Sequence, residues 1–179
     1  MNKEKYVALL RGINVGGHHK LPMAQLREEM GKLGFTGIKT LLNSGNVVFT
    51  ASGGHEAALE DSIEKHLEQA FGFPVPTLVR KASDIVALVQ RNPFEKITPA
   101  DNIRFYVTFL KEPSTVTGGL PRTSEENGFR ILSTGDKSVC SVLDITLTQS
   151  TKGMDTLGKM FGKNITTRNW NTLVKVSAL

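Results

Sequence analysis

The chain has 179 residues, of which 39% are hydrophobic and 22% charged, and its net charge is +5. That length and composition suit one domain or two small ones and exclude a disordered chain. No apolar run approaches the ~20 residues of a membrane span, the N-terminal apolar run is too short for a signal-peptide core, and the single cysteine, Cys140, excludes an internal disulfide, so a reducing, cytoplasmic setting is expected.

Tyr6 to Leu10 (YVALL) is short and continuously apolar, the pattern of a strand covered on both faces. A glycine-rich loop follows from Arg11 to Leu21 (RGINVGGHHKL). Pro22 then suits a helix start, Met23, Leu26, Met30 and Leu33 recur at helical spacing, and Gly34 suits the position just past the helix end. Ile38–Leu42 and Val47–Thr50 read as two strands of a hairpin turning over Asn43-Ser44-Gly45-Asn46. Leu59, Ile63, Leu67 and Phe71 form one stripe of a second helix that Gly72 ends, and Thr77–Arg80 is a fourth strand. The order β-α-β-β-α-β, with right-handed crossovers, predicts a ferredoxin-like α+β unit over residues 1–81.

Residues 82–179 read as a second, less regular ferredoxin-like α+β unit, a degraded copy of the first and free to intertwine with it. Ser83 is placed to cap a short helix bearing Ile85, Leu88 and Val89. Ile103 to Phe109 alternates apolar and polar residues as a half-buried strand does. Pro113–Thr123 reads as a loop with one turn of helix, and Phe129–Leu132 with Val139–Leu143 as a hairpin. Met154, Leu157 and Phe161 mark a helix closed by Gly162, and Thr166 or Thr167 is expected to cap a last helix bearing Trp170, Leu173 and Val174.

The strand-Gly12-x4-Gly17-helix order is that of a phosphate loop, but His18 and His19 stand where its Lys and Ser/Thr belong, so nucleotide hydrolysis is rejected. A simpler role remains. Backbone N–H groups at Gly12, Gly16 and Gly17, flanked by Arg11 and Lys20 near a helix start, can hold an anion, with Asn14 adding a hydrogen bond. The competing reading is that the glycines only make a tight connection. Ser44 and Asn46 at the hairpin tip offer polar groups to a ligand, although ordinary turn chemistry explains them too. Adjacent His18 and His19 point apart, and no metal site is expected. The most basic stretch is C-terminal: Lys152, Lys159, Lys163, Arg168 and Lys175 stand against Asp155 between residues 150 and 179. There Arg168 and Asn169 are candidates to grip an anion. Trp170 either stacks on a base or, the preferred reading, packs in the core. Cys140 reads as a buried inert thiol.

The segments ALLRGINVGG (Ala8–Gly17), PMAQLR (Pro22–Arg27), LLNSGNVVF (Leu41–Phe49) and TTRNWNT (Thr166–Thr172) resemble the bacterial domain-of-unknown-function family 1697. The resemblance implies two ferredoxin-like units and places Arg11, Gly12, Asn14, Gly16, Gly17, Ser44, Gly45, Asn46, Arg168 and Asn169 within the family's motifs. It implies no cofactor, substrate or activity. The expected function is binding of an anionic ligand, either nucleic acid or a phosphorylated small molecule. The rivals are a small-molecule enzyme with a site between the glycine loop and the Arg168 segment, and a structural or partner-binding protein.

Overall fold

The computed structural model describes residues 3–41, 43–114 and 128–179. Two compact units are present, Met1–Ala87 with Val174–Leu179, and Leu88–Leu173. The division therefore falls after residue 87 rather than after 81, and the last six residues belong to the first unit.

In the first unit the order is β1 (Lys3–Leu10), α1 (Met23–Lys32), β2 (Thr36–Leu41), β3 (Asn46–Ser52), α2 (Glu56–Phe71), β4 (Thr77–Lys81), followed directly by α3 (Ala82–Arg91). The strands lie in the order β2-β3-β1-β4, with every neighbouring pair antiparallel, which is the ferredoxin-like arrangement. Tyr6, Ala8 and Leu10 of β1 pack in one cluster with Leu26 and Met30 of α1 and Ile63 and Leu67 of α2. Val7 and Leu9, on the opposite face, are buried as well, which explains the unbroken apolar run. Pro22 is the residue before the first helical turn, and Gly72 ends α2 in the left-handed conformation. Ser83 lies inside α3 and does not precede it, because that helix starts as soon as β4 ends.

The outer edge of β4 is sealed by α2. Glu56, Glu60 and Glu64 stand one turn apart, and their carboxylates accept hydrogen bonds from Lys81 N (3.2 Å), Val79 N (2.9 Å) and Thr77 N (2.8 Å) respectively. Outward N–H groups along a strand recur about every 6.6–6.8 Å, and i, i+4 positions along a helix about every 6 Å, so the two ladders match. Arg80 is buried beside them. It donates to Glu56 Oε2 (3.5 Å), to Glu60 Oε1 (3.3 Å) and to the Val79 carbonyl. Buried charges persist only when paired and hydrogen-bonded in this way.

The second unit repeats the strand plan: β5 (Ile103–Leu110), β6 (Phe129–Thr134), β7 (Ser138–Asp144), α4 (Ser150–Phe161), β8 (Ile165–Asn169), then the start of α5 (Trp170–Ser177), whose residues from Val174 on belong to the first unit. Its strand order, β6-β7-β5-β8, is again antiparallel throughout. The register corresponds residue by residue. Leu10 N donates to Gly45 O and Arg11 N to Pro76 O, as Leu110 N donates to Lys137 O and Lys111 N to Asn164 O. Tyr6 pairs with Phe49, and Tyr106 with Ser141. By the same register Arg80 corresponds to Arg168 and Lys81 to Asn169. Both β2–β3 and β6–β7 carry a register shift. Part of the loop expected over Pro113–Thr123 lies outside the described residues, which resume at 128.

Thr166 and Thr167 do not cap a helix but sit in β8, paired with Phe109 and Thr108, and the helix starts only at Trp170. Consecutive threonines are at home in a pleated ladder, where Thr167 Oγ1 meets Thr108 Oγ1 at 2.8 Å.

Candidate functional site

The glycine loop is held at its base, where Leu10 N and Arg11 N reach Gly45 O and Pro76 O, each at 2.8 Å. Gly45 has φ +73°, and a Cβ there would lie 2.8 Å from Leu10 Cβ and 2.9 Å from Ile13 Cδ1, so the hairpin tip can close on β1 only as glycine. Ile13 turns inward and joins the core of the first unit. Asn14, at φ +55°, clamps the loop. Its Nδ2 donates to Leu21 O and Asn43 O, both at 3.0 Å, and its Oδ1 accepts from Leu21 N at 2.8 Å.

Beyond the clamp the chain makes a miniature hairpin. Asn14 N donates to His19 O and His18 N to Val15 O, both at 3.1 Å. Gly16 and Gly17, at φ +59° and +79°, take the two central positions with the signs that a type I′ turn requires. His19 is stacked on Phe73 with ring centroids 4.6 Å apart, and its Nδ1 lies 3.1 Å from Gly12 O. The loop is thus a built structure that carries an exposed rim of Arg11, Gly12, Gly16, Gly17, His18 and Lys20. Among the described residues the N–H groups of Gly12, Gly16 and Gly17 make no hydrogen bond. The neighbouring helix α1 has no side-chain cap and no acidic residue in its first turn.

The remaining candidates are placed differently. Asn46 is fully buried and donates to Ser44 Oγ at 2.8 Å and to Leu41 O at 3.4 Å, so both side chains hold the hairpin. Arg168 belongs to the second unit. It is partly buried in β8, donating to Thr166 Oγ1 (2.8 Å) and Thr167 O (3.0 Å), and burial lowers its guanidinium to about 10. Asn169 Oδ1 accepts from Asn171 N at 2.9 Å and so caps α5. Trp170 is half-buried, its ring edge-on to Phe94 at 5.0 Å. Cys140 is buried, and burial pushes its thiol up, away from nucleophilic use.

Sequence reasoning missed a cleft of about 630 Å³ in the second unit, built from the 92–105 segment and the β8–α5 junction. Trp170 was the one signal toward it, since a lone aromatic among amides marks a surface that is neither wholly core nor wholly solvated. Among the described residues no group of three metal-ligating side chains occurs, and no helix is long and apolar enough to cross a membrane. In the first unit His66 Nε2 lies 2.9 Å from Glu29 Oε2 of α1.

No curated protein matches the chain. Its fold is similar to that of a conserved bacterial protein from Streptococcus pneumoniae, with 24% identity over 99% of this chain and 98% of that one and a TM-score of 0.69. The family match runs over residues 3–130, which takes in the glycine loop and the hairpin tip and leaves the Thr166–Thr172 motif beyond it. Matched over that span, the chain belongs to the family described as "Protein of unknown function (DUF1697)".

Proposed function

We propose that the protein binds an anionic ligand, a nucleic acid or a phosphorylated small molecule, at the glycine loop of its first unit. The observation that carries this reading is the set of N–H groups at Gly12, Gly16 and Gly17, which lack hydrogen-bond partners among the described residues and lie between exposed Arg11 and Lys20. Amides presented by residues at positive φ form a concave donor surface for oxyanions, and the uncapped start of α1 adds favourable potential within its first turn. Asn14 acts by shaping the loop, since its amide is engaged with Leu21 and Asn43.

Inorganic phosphate titrated into the 15N-labelled chain is expected to shift the amide resonances of Gly12, Gly16 and Gly17 saturably, and Lys20→Glu to weaken that binding several-fold. A fluorescently labelled single-stranded RNA should bind at low salt, with log K falling linearly against log salt concentration. Absence of any amide shift with phosphate would eliminate the anion site. Phosphate shifts without salt-dependent RNA binding would leave the small-molecule form alone.

A further inference from the structure

The cleft of the second unit has a chemistry of its own. Phe105 and Trp170 contribute aromatic surface, with Phe94 packed between them at centroid distances of 4.8 and 5.0 Å. Its volume, about 630 Å³, falls in the range of small-ligand pockets. Two of its amides are oriented by their own backbone bonds. Asn92 Oδ1 accepts from Phe94 N at 3.3 Å and Asn169 Oδ1 from Asn171 N at 2.9 Å. Each therefore turns its NH2 away from those bonds, and neither NH2 has a partner among the described residues.

The charge balance argues against a phosphate. Among the described residues Glu95 and Asp101 line the cleft against one cation, Arg104, whose guanidinium is already bonded to Asp101 O and Ile103 O. The first unit shows what closes the equivalent corner. There Glu4 and Lys81, the register counterparts of Arg104 and Asn169, meet in a salt bridge of 3.0 Å.

We infer that this cleft binds an uncharged planar heterocycle bearing ring carbonyl or ring nitrogen acceptors, the base of a nucleoside, through stacking on Trp170 and hydrogen bonds from Asn92 and Asn169. Aromatic faces accept any base. The two NH2 groups select for acceptors on its edge. The site lies wholly in the second unit and does not depend on the glycine loop.

Trp170 is the only tryptophan of the chain, so its indole N–H resonance reports this site alone. The 15N-labelled full chain would be titrated with uridine and guanosine, with methyl glucoside and inorganic phosphate as comparators. A saturable indole shift with a nucleoside and none with the comparators is expected. Asn169→Asp retains the oxygen that caps α5 but removes the NH2, and should weaken the nucleoside about tenfold or more while the dispersed spectrum of the fold is kept. An indole that no nucleoside moves, one that responds equally to methyl glucoside or to phosphate, or an Asn169→Asp variant of unchanged affinity would each overturn the inference.

Discussion

Strands β4 and β8 hold the same place in their two units, yet the outer edges of these strands are finished differently. Along β4, three glutamates of α2 accept the outward N–H groups of Thr77, Val79 and Lys81. Along β8, the outward N–H groups of Thr167 and Asn169, the counterparts of Val79 and Lys81, make no hydrogen bond among the described residues. Counting back from the glycines that end the two helices, Leu67 aligns with Leu157 and Phe71 with Phe161. Glu64, however, falls on Met154, and Glu56 on Thr146, before α4 begins. The apolar positions under the sheet are kept because register and packing demand them, whereas the edge is left to each unit. The equivalent arginines have different neighbours: Arg80 is flanked by Glu56 and Glu60, while Arg168 donates to Thr166 Oγ1 and Thr167 O of its own strand.

The sharpest way to break this comparison is at Glu60. Glu60→Ala leaves Arg80 short of a buried counter-charge and Val79 N without an acceptor, and should cost about 3–5 kcal/mol in urea unfolding. A loss under 1 kcal/mol would mean that the glutamate ladder is ornamental and that the two edges are equivalent after all.

The hairpin tips offer a second contrast. Gly45→Ala forces a left-handed alanine against Leu10 and Ile13 and is expected to destabilise by about 2–4 kcal/mol. At its half-buried counterpart Lys137 a side chain is already accommodated, so Lys137→Ala meets no such steric conflict and should cost clearly less, about 1 kcal/mol or under. Equal losses at both positions in thermal melts would refute the assignment of a closer packed tip to the first unit.

The smallest effect expected is on acid stability, and it should appear in both units. Glu29 is held below the ordinary 4.5 by its bond to Lys32, with His66 adding to it, and Asp144 below 3.8 by Thr146 and Asn102. A depressed carboxylate stabilises the fold above its unfolded-state pKa, and that contribution is lost as pH falls through the folded value. Melting temperature should therefore decline below about pH 4.5, and Glu29→Gln and Asn102→Ala should each flatten part of that slope. A variant with the unaltered slope would remove that carboxylate from the account.

Much of the architecture was legible before any coordinates. The unbroken YVALL run, the four-residue apolar stripes of the helices and the Asn-Ser-Gly-Asn tip each encode local geometry, and each lies where the pattern placed it. The C-terminal threonines were misplaced because Thr-Thr-Arg-Asn serves a helix start or a strand equally well in isolation. Pairing with β5 decides between the two. For the candidate site, the exposed rim of the glycine loop was readable from its residue types, but the role of Asn14 was not, since its partners at Leu21 and Asn43 are brought together by the fold.

Periodicity and turn chemistry act over a few residues, so the sequence by itself determined the element order of the first unit and the hairpins and apolar positions of both, while β8 waited on its pairing with β5. Tertiary structure alone decided that Glu56, Glu60 and Glu64 seal a sheet edge instead of facing water, that Arg168 is partly withdrawn from solvent, and that Phe105, Asn169 and Trp170 converge on one cleft. The reason is that these outcomes depend on which distant backbone N–H, carboxylate or ring each side chain meets, and strand register sets those meetings only once the sheet has formed.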